Sequence, residues 1–514
     1  EAQTDLFTNG ASMNEQRVAC LKTHPTLMLD TRHFPPDFTD RLLASFEHLD
    51  EMTDGLLVHS ENWQALNLLQ EKYRARVKCV HIDPPYNTQT SGFLYKNDYQ
   101  HSSWLAMMEN RLWLGWLMVR KDGALACHID ENEYESLYKL CEHLSVPIGG
   151  TVVWDKKNPM LGRKGIATQH EYVLWLNQVE TPIYLHQRNV RMILSKAAEV
   201  VKKHGGVNND ARQEFASWIR NAEGLSGGER AYCLLDDDGK VFQSVSMEAP
   251  EPRADPKFFI PLIHPVTKKE CPVPRNGWSR APETIKELLE KNEILFGRDE
   301  TNMPRRKVFL TDQSMRQLSS VISDSGRGKN DVDKLGIEFP YCHPVSLYEE
   351  IIGASISTNE TDGFVLDFFA GSGTTGHAVI NLNREDGGRR TFILVEMAHY
   401  FDTVLLPRIK KVTFTPEWKD GKPERMATME EAERSPRIVK VIRLESYEDA
   451  LNNLSFDDES GQKALELFGD DYLLSYMLKW ETRHSETLLN IEHLQSPFSY
   501  TLHLHCNGET RARG

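Results

Sequence analysis

The sequence predicts an α/β fold in which one parallel sheet is wound in two stretches, with a loop-rich insertion between them and an accessory region after them. Three observations carry this. Short apolar runs of strand length alternate with longer amphipathic runs between residues 51 and 180. The alternation lapses over 181–340, where glycine and proline recur, and resumes over 341–415. Each stretch also holds an apolar strand running straight into a turn rich in chemistry-bearing residues. With 514 residues the chain exceeds one compact core, so at least two bodies are expected.

Taken in order, residues 1–50 are a mixed lead-in, punctuated by His33-Phe34-Pro35-Pro36 and closed by an amphipathic run over 38–49 that reads as helix. Residues 56–59 and 77–82 read as short buried strands, joined by a helix over 63–73 with apolar positions Leu66, Leu68, Leu69 and Tyr73. A helix over 102–119, a strand over 124–129, a helix over 131–144 and strands near 151–154 and 172–176 continue the pattern. In 181–340, Gly205-Gly206, Gly227-Gly228, Pro250, Pro252, Pro256, Pro272 and Pro274 break the chain into short runs. The βα grammar returns with a helix over 346–355, a strand over 364–368, a helix over 374–382 and a strand over 391–395. Residues 416–514 are charged, read as helical to 476, and alternate in strand fashion near 500–505. The abrupt ends read as those of a piece of a longer chain.

Composition narrows the class. No stretch approaches the roughly 20 apolar residues of a membrane span, and the opening EAQTDLFTNG is not a secretory leader, so a cytoplasmic protein with no membrane partner is expected. Eight cysteines are scattered without a metal-ligand spacing and read as reduced thiols, with no metal site. The net charge of -15 disfavours a phosphate-rich partner at first sight. Residues 151–340 nevertheless carry 29 Lys and Arg against 26 Asp and Glu, a net of +3 that leaves -18 for the rest. Lys156-Lys157, Arg163-Lys164, Lys268-Lys269, Arg305-Arg306-Lys307 and Arg327-Gly328-Lys329 are the candidates there for contacts to a nucleic-acid backbone.

Two motifs carry chemistry. Asp83-Pro84-Pro85-Tyr86-Asn87 follows a strand directly, at the carboxyl edge where open α/β sheets bind ligands. Asp83 and the Pro84 carbonyl are acceptors for the N–H groups of an exocyclic amine, and Tyr86 offers an aromatic face for a base lifted out of its stack. Asp367-Phe368-Phe369-Ala370-Gly371-Ser372-Gly373-Thr374-Thr375 also follows a strand and opens a helix, so close backbone approach and free helix N–H groups suit an anionic carboxylate. It lacks the Gly-Lys-Ser/Thr ending of a phosphate loop, which disfavours ATP. Glu396 ends the next strand, where a carboxylate can hold ribose hydroxyls.

Together these segments resemble the amino-methylating DNA methyltransferases. Because Asp83-Pro84-Pro85-Tyr86 precedes the glycine loop across a long insertion, the order is similar to that of the permuted β group. Residues 57–69, 99–108, Ile263-His264-Pro265-Val266-Thr267 and Asn276-Gly277-Trp278-Ser279 resemble modification subunits of type III restriction systems and relatives in other phage-defence loci. The resemblance covers residues 30–450 and implies a Rossmann-like methyltransferase sheet with circularly permuted motif order. It also implies a target recognition domain at 181–340, flanked by catalytic (51–180) and cofactor-binding (341–415) halves, with 416–514 accessory. By the same resemblance Asp83, Pro84, Pro85 and Tyr86 are catalytic, and Asp367, Phe369, Gly371, Gly373, Thr374, Thr375 and Glu396 bind S-adenosylmethionine. Glu61 and Asn62 stand where the family has a Gly-Asp pair near the cofactor adenine, and His343-Pro344 where it often has Lys-Pro. Ser346 reads as a helix cap, with a contact to the methionine carboxylate as the alternative.

The expected function is base-flipping transfer of methyl to N6 of adenine in duplex DNA, as the modification arm of a restriction or phage-defence system. A homodimer and a partner restriction or other defence subunit are implied by the family. Cytosine N4 is the nearest alternative, because the same amine geometry serves both; a recognition subunit inactive without its partner and an RNA methyltransferase also stay open. Cytosine C5 chemistry is disfavoured, since no cysteine adjoins the Pro-Pro turn.

Overall fold

The structure, a computed structural model, describes residues 13–88, 101–157, 166–178, 183–186, 189–222, 225, 227–311, 314–355 and 362–446, with the strand stretches 487–489, 502–506 and 509–513. It comprises two compact units, Glu1–Leu444 and Glu445–Gly514. No helix among the described residues is long and apolar enough to cross a membrane.

The first unit is built on a nine-stranded sheet, counted among the described residues. Its strands are β1 (Thr53–His59), β2 (Val77–Ile82), β3 (Val119–Ile129), β4 (Ile148–Asp155), β5 (His170–Asn177), β6 (Val321–Ser323), β7 (Gly363–Asp367), β8 (Arg390–Glu396) and β9 (Ile438–Arg443). They lie in the order β6-β4-β5-β3-β2-β7-β8-β1-β9. Every neighbouring pair is parallel except those of β5, which runs antiparallel to β3 and β4. Side chains alternate across such a sheet, and each strand therefore feeds two cores. Leu57, Cys79, Ala126, Val365 and Leu394 face one, under the helices Val345–Ser355, Thr374–Asp386 and Leu406–Phe414. Val58, Val80, Cys127, Leu366 and Val395 face the other, under Asn62–Tyr73, His101–Met118 and Tyr134–His143. A helix on each face is what buries β2, whose six residues, Lys78 and His81 included, are all buried.

Several expectations need correction. Leu68 is exposed; the helix buries Ala65, Leu66, Leu69 and Tyr73, because Leu68 lies about 200° around the helix from Leu66. The β3 strand begins at Val119, five residues before the apolar run, since Arg120, Lys121 and Asp122 lie at the exposed sheet edge. The 181–340 region is less loop-rich than expected. Two helices, Val190–Lys203 and Asn209–Asn221, pack over Ile193, Ala197, Val200, Phe215 and Ile219. An antiparallel sheet of Leu234–Leu235, Val241–Ser246, Arg305–Phe309 and Ile294–Leu295 follows, beside a second small core around Trp278.

The boundaries at 340 and 415 also shift in one respect: β6 comes from the region before the first, and β9 from the region after the second. Residues 416–444 are therefore not a helical tail. They form a two-stranded turn of Trp418–Lys419 and Lys422–Pro423, a short helix Met429–Glu433 with a Thr428/Glu431 capping box, and the edge strand β9. The helical reading of 447–476 and the pair Arg163-Lys164 fall outside the described residues. The second unit contributes an antiparallel sheet of Thr487–Leu489, Leu502–Cys506 and Glu509–Arg513.

Candidate active site

Eight strands being co-directed, their carboxyl ends share one edge, and β5 brings its first residues to that same edge. This places Asp83 after β2, Asp367 at the end of β7 and Glu396 at the end of β8 side by side, since β2 pairs with β7 and β7 with β8. A cavity of about 390 Å³ opens there, within the range of small-molecule sites (about 300–1,000 Å³). Asp83, Pro85, Glu61, Asn62, Phe369, Gly371, Thr374 and Glu396 line it. Pro84, Tyr86, Asp367, Gly373 and Thr375 do not line it.

Each of these has a visible cause. Gly371 and Gly373 take φ of 54° and 86°, which side-chain-bearing residues rarely adopt, and so turn the chain from β7 into the helix Thr374–Asp386. The Glu396 carboxylate accepts from the Gly371 N–H at 2.9 Å and the Ala398 N–H at 2.9 Å, fixing the loop against the strand end. Burial pushes its carboxyl up, and those N–H groups pull it back. Asp367 accepts from the Phe369 N–H at 3.0 Å and the Thr375 hydroxyl at 2.5 Å, and burial pushes it up to about 7. Thr375 thus serves Asp367 rather than the cavity. Glu61 caps the helix Asn62–Tyr73 and pairs with Arg111; Asn62 accepts from Arg111 Nε at 2.6 Å and donates to the Phe368 carbonyl at 3.1 Å.

On the Asp83 side, Trp104 Nε1 donates to the Pro85 carbonyl at 2.8 Å, and Asn87, at φ 59°, donates to Glu133 at 2.7 Å. The Pro-Pro turn is thereby held on its carboxyl side. Burial pushes the Asp83 carboxyl up, opposed by the nearby His343. The Tyr86 hydroxyl donates to Glu171 Oε2 at 3.1 Å, and Lys156 Nζ lies 2.5 Å from Glu171 Oε1.

Sequence reasoning missed Glu171, Arg111 and Arg408. Glu171 opens an antiparallel strand, and nothing in its local sequence says which edge of the sheet that start will reach. Arg408 is fully buried beneath the glycine loop, where it donates to Ser372 at 2.7 Å and Thr374 at 3.1 Å, without a carboxylate within ion-pair distance among the described residues. Its guanidinium makes the floor of the loop positive.

Other readings are corrected. Lys156 is spent on Glu171, Lys269 pairs with Glu300, and Arg306 pairs with Glu293. Lys307 is buried over Phe242, so it is not a free backbone contact. Ser346 donates to Asp324 and does not line the cavity. Cys342 does line it, but burial raises its thiol, the reverse of a thiolate nucleophile.

The model of the DNA methylase family that unites N6 and N4 enzymes matches residues 77–405. Among curated relatives, the type III restriction-modification enzyme EcoP15I Mod subunit of Escherichia coli is 29% identical over 387 residues, covering 66% of this chain and 58% of that one. The type II methyltransferase M.KpnI of Klebsiella pneumoniae is 24% identical over 375 residues, covering 70% of this chain and 84% of that one. The chain thus spans little more than half the length of the Mod subunit. Of solved structures, an M1.HpyAVI complex is 14% identical, with 68% of this chain and 97% of that one covered at a TM-score of 0.30. With a family match spanning both the Asp83 turn and the glycine loop, the chain belongs to the N6/N4 DNA methylase family.

Proposed function

We propose that this protein transfers a methyl group from S-adenosylmethionine to N6 of adenine in duplex DNA. The observation that carries the reading is the juxtaposition of Asp83 and the glycine loop on adjacent strand ends around one cavity. An amine acceptor and an anion-seeking helix start then face a common space.

The residues fit the cofactor. Glu396 suits ribose hydroxyls, and its oxygens are already oriented by two backbone N–H groups. The start of the helix Thr374–Asp386, with the Arg408 guanidinium beneath it, suits a carboxylate. Phe369 and Val395 supply apolar wall, and Glu61 and Asn62 close the side held by Arg111. When bound, S-adenosylmethionine supplies an electrophilic methyl group on a sulfonium.

The protein's own contribution is position. A base lifted out of the duplex rests on the ring of Tyr86, whose hydroxyl is pinned by Glu171. Its amine donates to Asp83 and the Pro84 carbonyl, which directs the nitrogen lone pair toward the cofactor side. The amine forms one N–C bond as the C–S bond breaks, and sheds one proton toward Asp83. By likeness to the Mod subunit, we propose the chain as the modification arm of a restriction system with a restriction partner, and as a dimer by family analogy alone.

The test is transfer of labelled methyl to mixed-sequence duplex DNA and, separately, RNA, with product nucleosides identified by mass. N6-methyladenine that disappears in Asp83→Ala supports the reading. N4-methylcytosine would keep the site and overturn the base, methylated RNA would overturn the substrate, and cofactor binding without transfer would make this a partner-dependent subunit.

A further inference from the structure

His343, just before the helix Val345–Ser355, lines the cavity and meets a carboxylate on each ring nitrogen. Its Nδ1 lies 3.4 Å from Asp83 Oδ2, and its Nε2 lies 3.1 Å from Glu171 Oε2. A neutral imidazole has one N–H and one lone pair, so in that form it would turn a lone pair on one of the two carboxylates. Only the imidazolium presents an N–H toward both.

The surroundings support a single resident charge at this place. His343 and Glu171 side chains are each only 12% exposed. From the end of β4, Lys156 takes the other oxygen of Glu171, so two cations offset two carboxylates. Tyr86 approaches from the Pro-Pro turn, with its hydroxyl 3.4 Å from Nε2, and Tyr348 from the following helix, with its hydroxyl 3.4 Å from Nδ1. From β2 and β3 come His81 and His128, joined at 2.9 Å between their Nε2 atoms, and burial pushes both down into the neutral form. Burial would push His343 down as well, but Asp83 and Glu171 outweigh it and raise it above the ordinary imidazole range.

We propose that His343 is a positioning residue for the transfer: an imidazolium held between Asp83 and Glu171 that fixes the catalytic carboxylate and, through Glu171, the hydroxyl of Tyr86. The proposal rests on the reading of Asp83 as amine acceptor and Tyr86 as base platform. Loss of the proton leaves two carboxylates around an uncharged ring, and Asp83 loses the cation that orients it. The charge is present below the raised pKa and lost as pH rises through it, so turnover falls on the alkaline side.

Two measurements test this. In the intact protein without DNA, a histidine NMR titration should contain one imidazole titrating above the ordinary value of about 6.5, assigned by its loss in His343→Gln or, should that variant not fold, by its shift in Glu171→Gln. A His343 that titrates at or below the ordinary value overturns the proposal. On mixed-sequence duplex DNA, His343→Gln should lower kcat by about 10- to 100-fold and lose the alkaline limb of the pH profile, while calorimetric affinity for S-adenosylhomocysteine stays within about twofold. His343→Lys should recover part of kcat and move the limb to higher pH. Wild-type kcat and limb in His343→Gln overturn the positioning role alone, whereas a wild-type protein that methylates nothing overturns the functional reading beneath it.

Discussion

Asp83, part-buried at the cavity, and Asp367, buried, are acids on adjacent strand ends, yet pH should act on them with different readouts. In the proposed transfer Asp83 must be ionised to take the proton the amine sheds, and its carboxyl is raised by burial. Methyl transfer should therefore fall as pH drops through that raised value, and Asp83→Ala should lose at least about a hundredfold in kcat while still binding S-adenosylhomocysteine. Loss of cofactor binding in that variant would instead mark Asp83 as part of the cofactor site. Asp367 ionises in the folded protein near 7, against about 3.9 in an unfolded chain. Between those values the folded state holds the extra proton, so stability is greatest below about 4 and is lost as pH rises through 7. Asp367→Asn should accordingly raise the melting temperature of the cofactor-free protein more at pH 8 than at pH 5, while weakening S-adenosylmethionine binding in calorimetry. An equal gain at both pH values would refute the linkage. Stability is sacrificed here for a charged loop, a common pattern at binding sites.

At the scale of elements, the helix Thr374–Asp386 carries the loop and must lie close to the sheet. A Cβ on Gly376 would sit 2.5 Å from Ile409 Cδ1 and 2.9 Å from Leu394 Cδ1. Gly376→Leu should therefore lift the helix, cost about 1–3 kcal/mol in denaturant unfolding and reduce cofactor affinity. Normal affinity at reduced stability would mean that the loop does not depend on this packing. The strands β2 and β7 and their two motifs were legible in sequence, because an apolar run ending in a compact motif is a local signal. The β9 strand was not. Its burial pattern is half-exposed, and its place is set by pairing with β1 and by the ion pair of Arg437 with Asp54, 383 residues earlier. The insertion helices were legible in principle, since Val190, Ile193, Ala197 and Val200 follow helical spacing, but glycine and proline nearby drew the reading toward loops.

Across the whole molecule, an acidic chain proposed to act on DNA must confine its attraction to one region. The measured affinity for duplex DNA should fall steeply as salt rises from about 50 to 200 mM. Exchanging residues 190–310 for the corresponding part of a relative should change the sequence that is methylated and leave S-adenosylmethionine affinity unaltered. An unchanged target would remove base recognition from the insertion. The sequence by itself determined the α/β grammar, the Asp83 turn, the glycine loop and the acid at Glu396, since each is written in contiguous residues beside its own strand. Only the tertiary structure decided that His343 joins Asp83 to the Glu171–Lys156 pair, and that Arg408 lies under the loop. Their partners are distant in the chain, and strand direction and order, which no local pattern encodes, choose the edge at which they meet.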